Sequence, residues 1–453
     1  MTSSFHVKDH VIDTQYIREY HRATATPDAP LKLCVKQYIP TDYEPQLGDV
    51  TIIATHGTGF PKVRQRNIPR SKRTRLLTTD QELYEPLWED LLNETKNSGV
   101  RIRAIWIADA SNQGASGVLN EKNLGNDPSS HDHSRDLIHL VNHFRDEMPR
   151  PIMGIGHSLG CEQLVFASLF HPRLFTSLLL IEPHMIDRPS SGEGPRLLGL
   201  TYAKRDIWPS RAHAVAKARH VFRRWDPRVL ARWCDVGYRD LPTAVYPDAA
   251  AAGDRPVTLT TTKYQEIMLY TRLNTQRHPE LGRQQPYEPA NPDETPPAHD
   301  PLVVPDMLGP LVPGQLSYRA ESMLGFLLAP HVRPSVLYVS GAESTLHRSG
   351  TIGKVARRTG TGFSGSGGMA RGRVRHVVVE GTGHTLPLEK VAATAETLAG
   401  WMREEVLRWR QDEERVAAGW EGLPLREKSG FTAEWVEVME KYRAEATKTK
   451  AKI

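Results

Sequence analysis

The feature that most constrains this chain is PIMGIGHSLGCEQLVFASLF, residues 151–170. An apolar run, a Gly-His-Ser-Leu-Gly turn and an apolar helical pattern follow one another without a gap. G-x-S-x-G in that setting predicts a strand, a sharp bend and a helix, with Ser158 at the apex of the bend. So tight a turn strains the backbone at the serine and aims its hydroxyl outward; glycine at 156 and 160 leaves room for it. The helix N-terminus beyond it favours developing negative charge. A plain helix-capping serine would show the same letters, so the rest of the chain has to support the reading.

The remainder repeats the alternation. Apolar runs at 31–39, 50–56, 100–108, 177–183, 335–341 and 375–381 read as strands, most of them covered on both faces. Apolar residues at helical spacing mark 83–97, 135–148 and 162–170. The pattern predicts an α/β fold, a mostly parallel sheet with helices on both faces. After Glu182 the alternation stops. Residues 186–330 are helix-like and irregular, carry Trp208, Trp225 and Trp233, and become Pro-rich over 286–314. Strand signals return at Ser335. A helical stretch between two strands of one sheet reads as an inserted cap, whose tryptophans and leucines would line an apolar pocket. The expected organisation is a core at 1–185, a cap at 186–330, the second part of the core at 331–410 and a charged tail at 411–453.

Composition narrows the setting. The three cysteines, Cys34, Cys161 and Cys234, include no CxxC pair, which argues against a disulfide framework and a zinc ribbon. The N-terminus shows no secretory signal, and no apolar run is long enough to span a bilayer, so a soluble intracellular protein with no integral membrane segment is expected. The net charge of +5 traces to Val63–Gln81, VRQRNIPRSKRTRLLTTDQ, with six basic residues and one acidic. Elsewhere the charges balance. That segment has no interleaved aromatics, so no nucleic-acid partner is expected.

A serine hydroxyl needs a base near neutral pH. His384, in VVVEGTGHTLP, follows a strand, sits in a Gly-flanked loop and comes late in the chain, after nucleophile and acid. The acid has two candidates. The usual turn after SVLYVSG holds Ser344 where an aspartate is expected, with Glu343 one residue early. Glu182 ends the apolar run SLLLIEP, where an unpartnered carboxylate would be costly, and it is the first choice. The acid would accept the imidazole N–H and hold the tautomer. Two backbone donors are needed for an oxyanion: the Leu159 N–H, and one from HGTG, at Thr58 or Gly59. Alternation along the bend would turn His157 away from the site, and Cys161 reads as a packing residue. His131, Asp132 and His133 lack a distant ligand partner, so no metal is expected. The chemistry requires no cofactor.

HGTGFPK, ELYEPLWEDLL, WIADASNQGASGVLNEKNLGNDPSSHDHSRDLIHL and MPRPIMGIGHSLG together resemble a group of fungal α/β-hydrolases. The group includes hydrolases of host-selective toxin biosynthesis and the peroxisomal acyl-CoA hydrolase of mycophenolic acid formation, and is similar to the yeast peroxisomal lipase. The resemblance covers roughly residues 30–400. It implies the α/β-hydrolase fold with a helical cap and a lipophilic acyl substrate, an ester or a CoA thioester. Nucleophile, acid and base would fall on Ser158, Glu182 and His384, with glutamate where the family favours aspartate.

In the family GFPK runs straight into ELYEPLW; here Val63–Gln81 intervenes. Valine codons begin GT and one glutamine codon is CAG, so the segment reads as a translated, unspliced intron. A surface loop and a nuclear-import-like run are the rivals, and sequencing the transcript decides between them. The C-terminal Ala451-Lys452-Ile453 resembles the tripeptide read by the peroxisomal import receptor, which makes that receptor an expected partner and the peroxisome matrix the expected location.

Overall fold

The computed structural model describes residues 4–59, 80–188, 193–248, 255–273 and 317–450. Two compact units divide it, residues 1–403 and 404–453.

The first unit is built on an eight-stranded sheet. Its strands are β1 (Phe5–Asp13), β2 (Lys32–Pro40), β3 (Val50–Thr55), β4 (Ile102–Ala108), β5 (Ile152–His157), β6 (Ser177–Ile181), β7 (Ser335–Gly341) and β8 (Val374–Val379). They lie in the order β1-β2-β4-β3-β5-β6-β7-β8. β2 runs antiparallel to β1 and β4, and the remaining pairs are parallel. Every residue of β3, β5, β6 and β7 is buried, which is why these strands read as unbroken apolar runs. Ile53, Trp106, Leu164, Leu178, Leu180 and Val336 belong to the central cluster. Burial of each aliphatic side chain there contributes about 1.5–3 kcal/mol.

Among the described residues the α-helices before β6 are α1 (Glu85–Asn97), α2 (Gly114–Leu119), α3 (Ser130–His143) and α4 (Leu159–Phe170). α3 starts five residues before the apolar periodicity does, because the Ser129 hydroxyl caps it by accepting the His131 N–H at 3.1 Å. The edge strand β1 has no counterpart among the expected strands. With a partner on one side only, it leaves most of FHVKDHVID exposed and so shows no apolar pattern.

Between β6 and β7 come α5 (Glu193–Ala203), α6 (Arg211–Val221), α7 (Pro227–Val236), α8 (Lys263–Tyr270) and α9 (Ala320–Leu328). A three-stranded sheet from Ile207–Trp208, Val257–Leu259 and Tyr238–Asp240 joins them. The tryptophans expected along a pocket are buried against one another instead. Phe222 stacks on Trp225 at 4.1 Å, Trp225 meets Trp233 edge-on at 5.7 Å, and Trp208 meets Tyr238 at 5.2 Å. An insertion of this size needs an apolar centre of its own, and these rings supply it. Phe326 of α9 and Met185 pack into the central cluster of the sheet.

The second unit contains helices Leu425–Ser429 and Ala433–Lys450, with Phe431 stacked on Trp435 at 5.6 Å. Among the described residues no helix is long and apolar enough to cross a membrane. The Pro-rich stretch, the basic segment apart from its last two residues, and Ala451-Lys452-Ile453 lie outside the described residues.

Candidate active site

Ser158 stands at the end of β5 and caps α4 with φ 56° and ψ −120°. A non-glycine residue in that region carries about 1–3 kcal/mol of strain, which the surrounding contacts must hold. Gly160 shows how little space the bend leaves: a Cβ there would lie 2.7 Å from Thr55 Oγ1 and 2.8 Å from the Thr55 carbonyl.

Three distant side chains meet at this bend. The Ser158 hydroxyl is 2.8 Å from His384 Nε2, in position to donate to it. His384 Nδ1 is 3.1 Å from Glu182 Oε2. The imidazole is 40% exposed, whereas the glutamate is fully buried. Glu182 also has a positive φ, 53°. Its carboxylate is satisfied from several sides: Gly341 N–H donates to Oε1 at 2.7 Å, and the Ser344 hydroxyl donates to Oε2 at 2.6 Å. Ser344 occupies the turn where an aspartate was expected and hydrogen-bonds the carboxylate that comes from the neighbouring strand. Glu343, the alternative acid, points elsewhere. Its side chain is 41% exposed and pairs with Arg224 at 3.1 Å.

The loop carrying His384 is strapped from behind. The hydroxyls of Thr382 and Thr385 donate to the two oxygens of Glu389 at 3.0 and 2.7 Å. Leu386 N–H donates to the Gly383 carbonyl at 3.1 Å.

His157 is turned off the Ser158 face, as alternation along the bend implies, and its ring has partners that the sequence did not show. It is buried, and its Nε2 lies 2.9 Å from the His384 backbone carbonyl. Its Nδ1 lies 2.7 Å from the Tyr84 hydroxyl, which in turn accepts the Gly57 N–H at 3.0 Å. Alternation carried the side chain off the Ser158 face but onto the backbone of the adjacent histidine loop, which packs on that side. Burial, reinforced by the charge of His384, pushes His157 down to about 3, so it stays neutral. A neutral ring with Nε2–H donating and Nδ1 accepting from Tyr84 satisfies every member of this chain. It ties the HGTG loop, the bend and the His384 loop together.

Leu159, the first residue of α4, and Thr58 are both buried. His56 is held neutral by burial, pushed down to about 4, with Nδ1 3.1 Å from the Gly57 carbonyl. Cys161 is buried with its thiol 3.3 Å from the Ile181 carbonyl. Glu162, one turn beyond Ser158 in α4, is buried and accepts the Ser322 hydroxyl at 2.8 Å; burial, then the negative Glu321, pushes it up to about 8.

The SHDHSRD run has a structural use. Asp132 and Asp136 both engage Arg18, and Asp132 and Asp136 also accept the Glu19 and Gln15 N–H groups at 2.8 Å. His131 packs edge-on against Phe166 at 4.2 Å. Among the described residues no group of three His, Cys, Asp or Glu side chains is arranged to hold a metal ion.

Sequence reasoning did not single out Tyr84, Glu389 or the contacts of His157. Only Ser344 left a trace, as the misfit in an expected G-x-x-D turn.

No family model matches the chain. Among curated proteins, the type I acyl-CoA thioesterase mpaH′ of Penicillium brevicompactum is 39% identical over 428 residues, covering 91% of this chain and 90% of that protein. This chain belongs to the mpaH family. The family's Penicillium roqueforti member, also a type I acyl-CoA thioesterase, is 37% identical over the same span. More distant from this mpaH-family chain is the abhydrolase domain-containing protein AFT2-1 of Alternaria alternata, 28% identical over 65% of the chain and 99% of that protein. The fold is that of the peroxisomal α/β-hydrolase Lpx1 of Saccharomyces cerevisiae, with a TM-score of 0.62 and 16% identity over 99% of both chains. The mpaH-family chain is therefore an α/β-hydrolase.

Proposed function

We propose that this chain cleaves a lipophilic acyl-CoA thioester through an acyl-enzyme formed on Ser158. The chain is a hydrolase of ester or thioester bonds. The observation that carries the mechanism is the hydrogen-bonded line from Ser158 Oγ through His384 to buried Glu182. His384 Nε2 takes the hydroxyl proton as Ser158 attacks the acyl carbonyl. Glu182 holds Nδ1–H and stabilises the imidazolium that forms. The Leu159 N–H and one from Thr58 or Gly59 receive the oxyanion. The thiol or alcohol leaves carrying the proton that His384 took from Ser158, and the neutral imidazole then activates water to hydrolyse the acyl-enzyme. A thiolate is a better leaving group than an alkoxide, so this transfer can lag behind C–S cleavage. Residues 186–330 act as the cap over this site and the core comes from 1–185 and 331–410. Thioester rather than oxoester is favoured by the mpaH relatives, which are acyl-CoA thioesterases at 37–39% identity.

The test is a matched panel of acyl-CoA thioesters and p-nitrophenyl esters of the same chain lengths. The expected result is a kcat/KM for long-chain acyl-CoA exceeding that for the matched oxoester. Cleavage of oxoesters alone would make the chain an esterase or lipase. Acyl transfer without net hydrolysis would make it an acyltransferase, and binding without turnover a silent relative.

The same reading places the protein in the peroxisome matrix, on the strength of Ala451-Lys452-Ile453. A fluorescent protein fused ahead of the last dozen residues is expected to collect in peroxisomes. Diffuse signal that does not change when the tripeptide is removed would end that assignment.

A further inference from the structure

Two peptide units of the HGTG loop could aim an N–H at the oxyanion: Gly57–Thr58 and Thr58–Gly59. In a trans peptide the carbonyl and the N–H point in opposite directions, so whatever holds the carbonyl aims the N–H. The Gly57 carbonyl is engaged by His56 Nδ1 from within the same loop. The Thr58 carbonyl is engaged from outside it. Tyr270, the last residue of α8, donates its hydroxyl to that carbonyl at 3.0 Å. α8 belongs to the segment inserted between β6 and β7, 212 positions away in the chain.

The tyrosine is itself supported. Its hydroxyl is also 3.4 Å from Glu266 Oε1, one turn earlier on α8, and Glu266 is ion-paired with Lys204 just beyond α5. Burial keeps the phenol well above its ordinary ionisation range, so it remains a donor at any working pH. The loop is moulded to this support. Gly59 has φ 82°, and a Cβ on it would lie 2.5 Å from Glu266 Cδ and Oε1. The positive φ and this crowding suit glycine, which lies pressed against Glu266, the carboxylate beside the tyrosine that holds the peptide in front of it.

We propose that Tyr270 is a positioning residue for the oxyanion donor: its hydroxyl fixes the Thr58–Gly59 peptide so that the Gly59 N–H faces the carbonyl oxygen attacked by Ser158. This rests on Ser158 being the nucleophile, as proposed above. It also chooses Gly59 over Thr58 as the second donor and gives the inserted segment a part in the chemistry beyond covering it. Lys204, Glu266 and Tyr270 form the brace, and the peptide is what they brace. Without the hydroxyl the peptide is free to rotate, and the cost falls on the tetrahedral intermediate, not on the bound substrate.

The experiment compares Tyr270→Phe with wild type on two readouts. One is kcat and KM for the best substrate of the acyl panel. The other is the affinity of a long-chain alkyl trifluoromethyl ketone, which adds to the serine as a tetrahedral oxyanion. Removing one oxyanion donor outright costs about 100- to 1,000-fold in kcat. Acting one step behind the donor, Tyr270→Phe is expected to lower kcat roughly 10- to 100-fold and to weaken the ketone in parallel, with KM unchanged. Phenylalanine keeps the packing of the ring, and an unchanged circular-dichroism spectrum confirms the fold. Glu266→Gln, which keeps the shape but weakens the brace, is expected to shift both quantities in the same direction by less. Unaltered kcat and ketone affinity in Tyr270→Phe overturn the proposal. A rise in KM alone also overturns it, by making Tyr270 a substrate contact. If wild type neither turns over acyl substrates nor is labelled at Ser158 by a fluorophosphonate, the nucleophile assignment falls and takes this proposal with it. A labelled, active wild type beside an unaffected variant sinks only this proposal.

Discussion

Ser158→Ala is expected to abolish labelling by a fluorophosphonate and to lower turnover by about a million-fold, the scale on which serine hydrolases lose kcat when the nucleophile is removed. Cys161, three residues further on, has its thiol directed to the Ile181 carbonyl, and burial raises it well above the ordinary thiol range. A thiol that burial holds in its protonated form is a poor replacement nucleophile. His384 would keep its bond to Glu182 and lose only the serine contact, so the fold should survive. Intact-mass analysis after probe treatment, together with acyl-substrate hydrolysis, provides the measurement. A variant that still gains one equivalent of probe would show that the nucleophile lies elsewhere.

Glu182→Gln is expected to lower kcat by about 10,000-fold while leaving the structure in place, by the tautomer argument known for catalytic triads. The reason lies in what the carboxylate accepts. Gly341 N–H, Ser344 O–H and His384 Nδ1 all converge on its two oxygens. An amide offers one oxygen and one N–H₂ group. The Gly341 N–H cannot turn away, so the amide oxygen has to face it, and the N–H₂ then faces Ser344 and His384. Ser344 can rotate its hydroxyl and accept. His384 can respond only by giving up the proton on Nδ1, which moves it to Nε2. The ring then presents an N–H to Ser158 where it needs a lone pair. Hydrolysis kinetics on protein whose circular dichroism matches wild type test this directly. A loss smaller than tenfold would remove Glu182 from the role of acid.

How much of this could be read from the chain depends on how local each determinant is. The strand–bend–helix around Ser158 was legible because one short segment carries all of it: an apolar strand, a bend with glycines at its narrow points, and a helix pattern. β5, β6 and β7 were legible because both faces are buried and the residues are apolar without interruption. β1 was not, since an edge strand with exposed side chains leaves no such signature. The choice between Glu182 and Glu343 was open for a related reason. Both stand at C-terminal ends of parallel strands, and the sequence does not say which one turns inward. In the folded chain Glu182 is buried under His384, while Glu343 faces Arg224.

Long-range partners were beyond reach altogether. Tyr84 with His157, Ser344 with Glu182, and Tyr270 with Thr58 are separated by 73, 162 and 212 positions. No periodicity links residues so far apart, and single hydroxyls leave no pattern in a sequence rich in them. For His157, alternation gave the direction of the side chain relative to its own strand, off the Ser158 face, but not what packs in that direction.

From its residues alone this chain was committed to a parallel α/β core with a serine at a strained bend, because steric limits on a tight turn and burial on both faces of a sheet act over a few neighbouring positions. Which carboxylate backs the histidine, which hydroxyls brace the loops, and whether the tryptophans line a pocket or pack against one another were decided only when the chain closed. Those outcomes depend on hydrogen-bond and packing partners contributed by other elements, and only the tertiary structure brings them within reach.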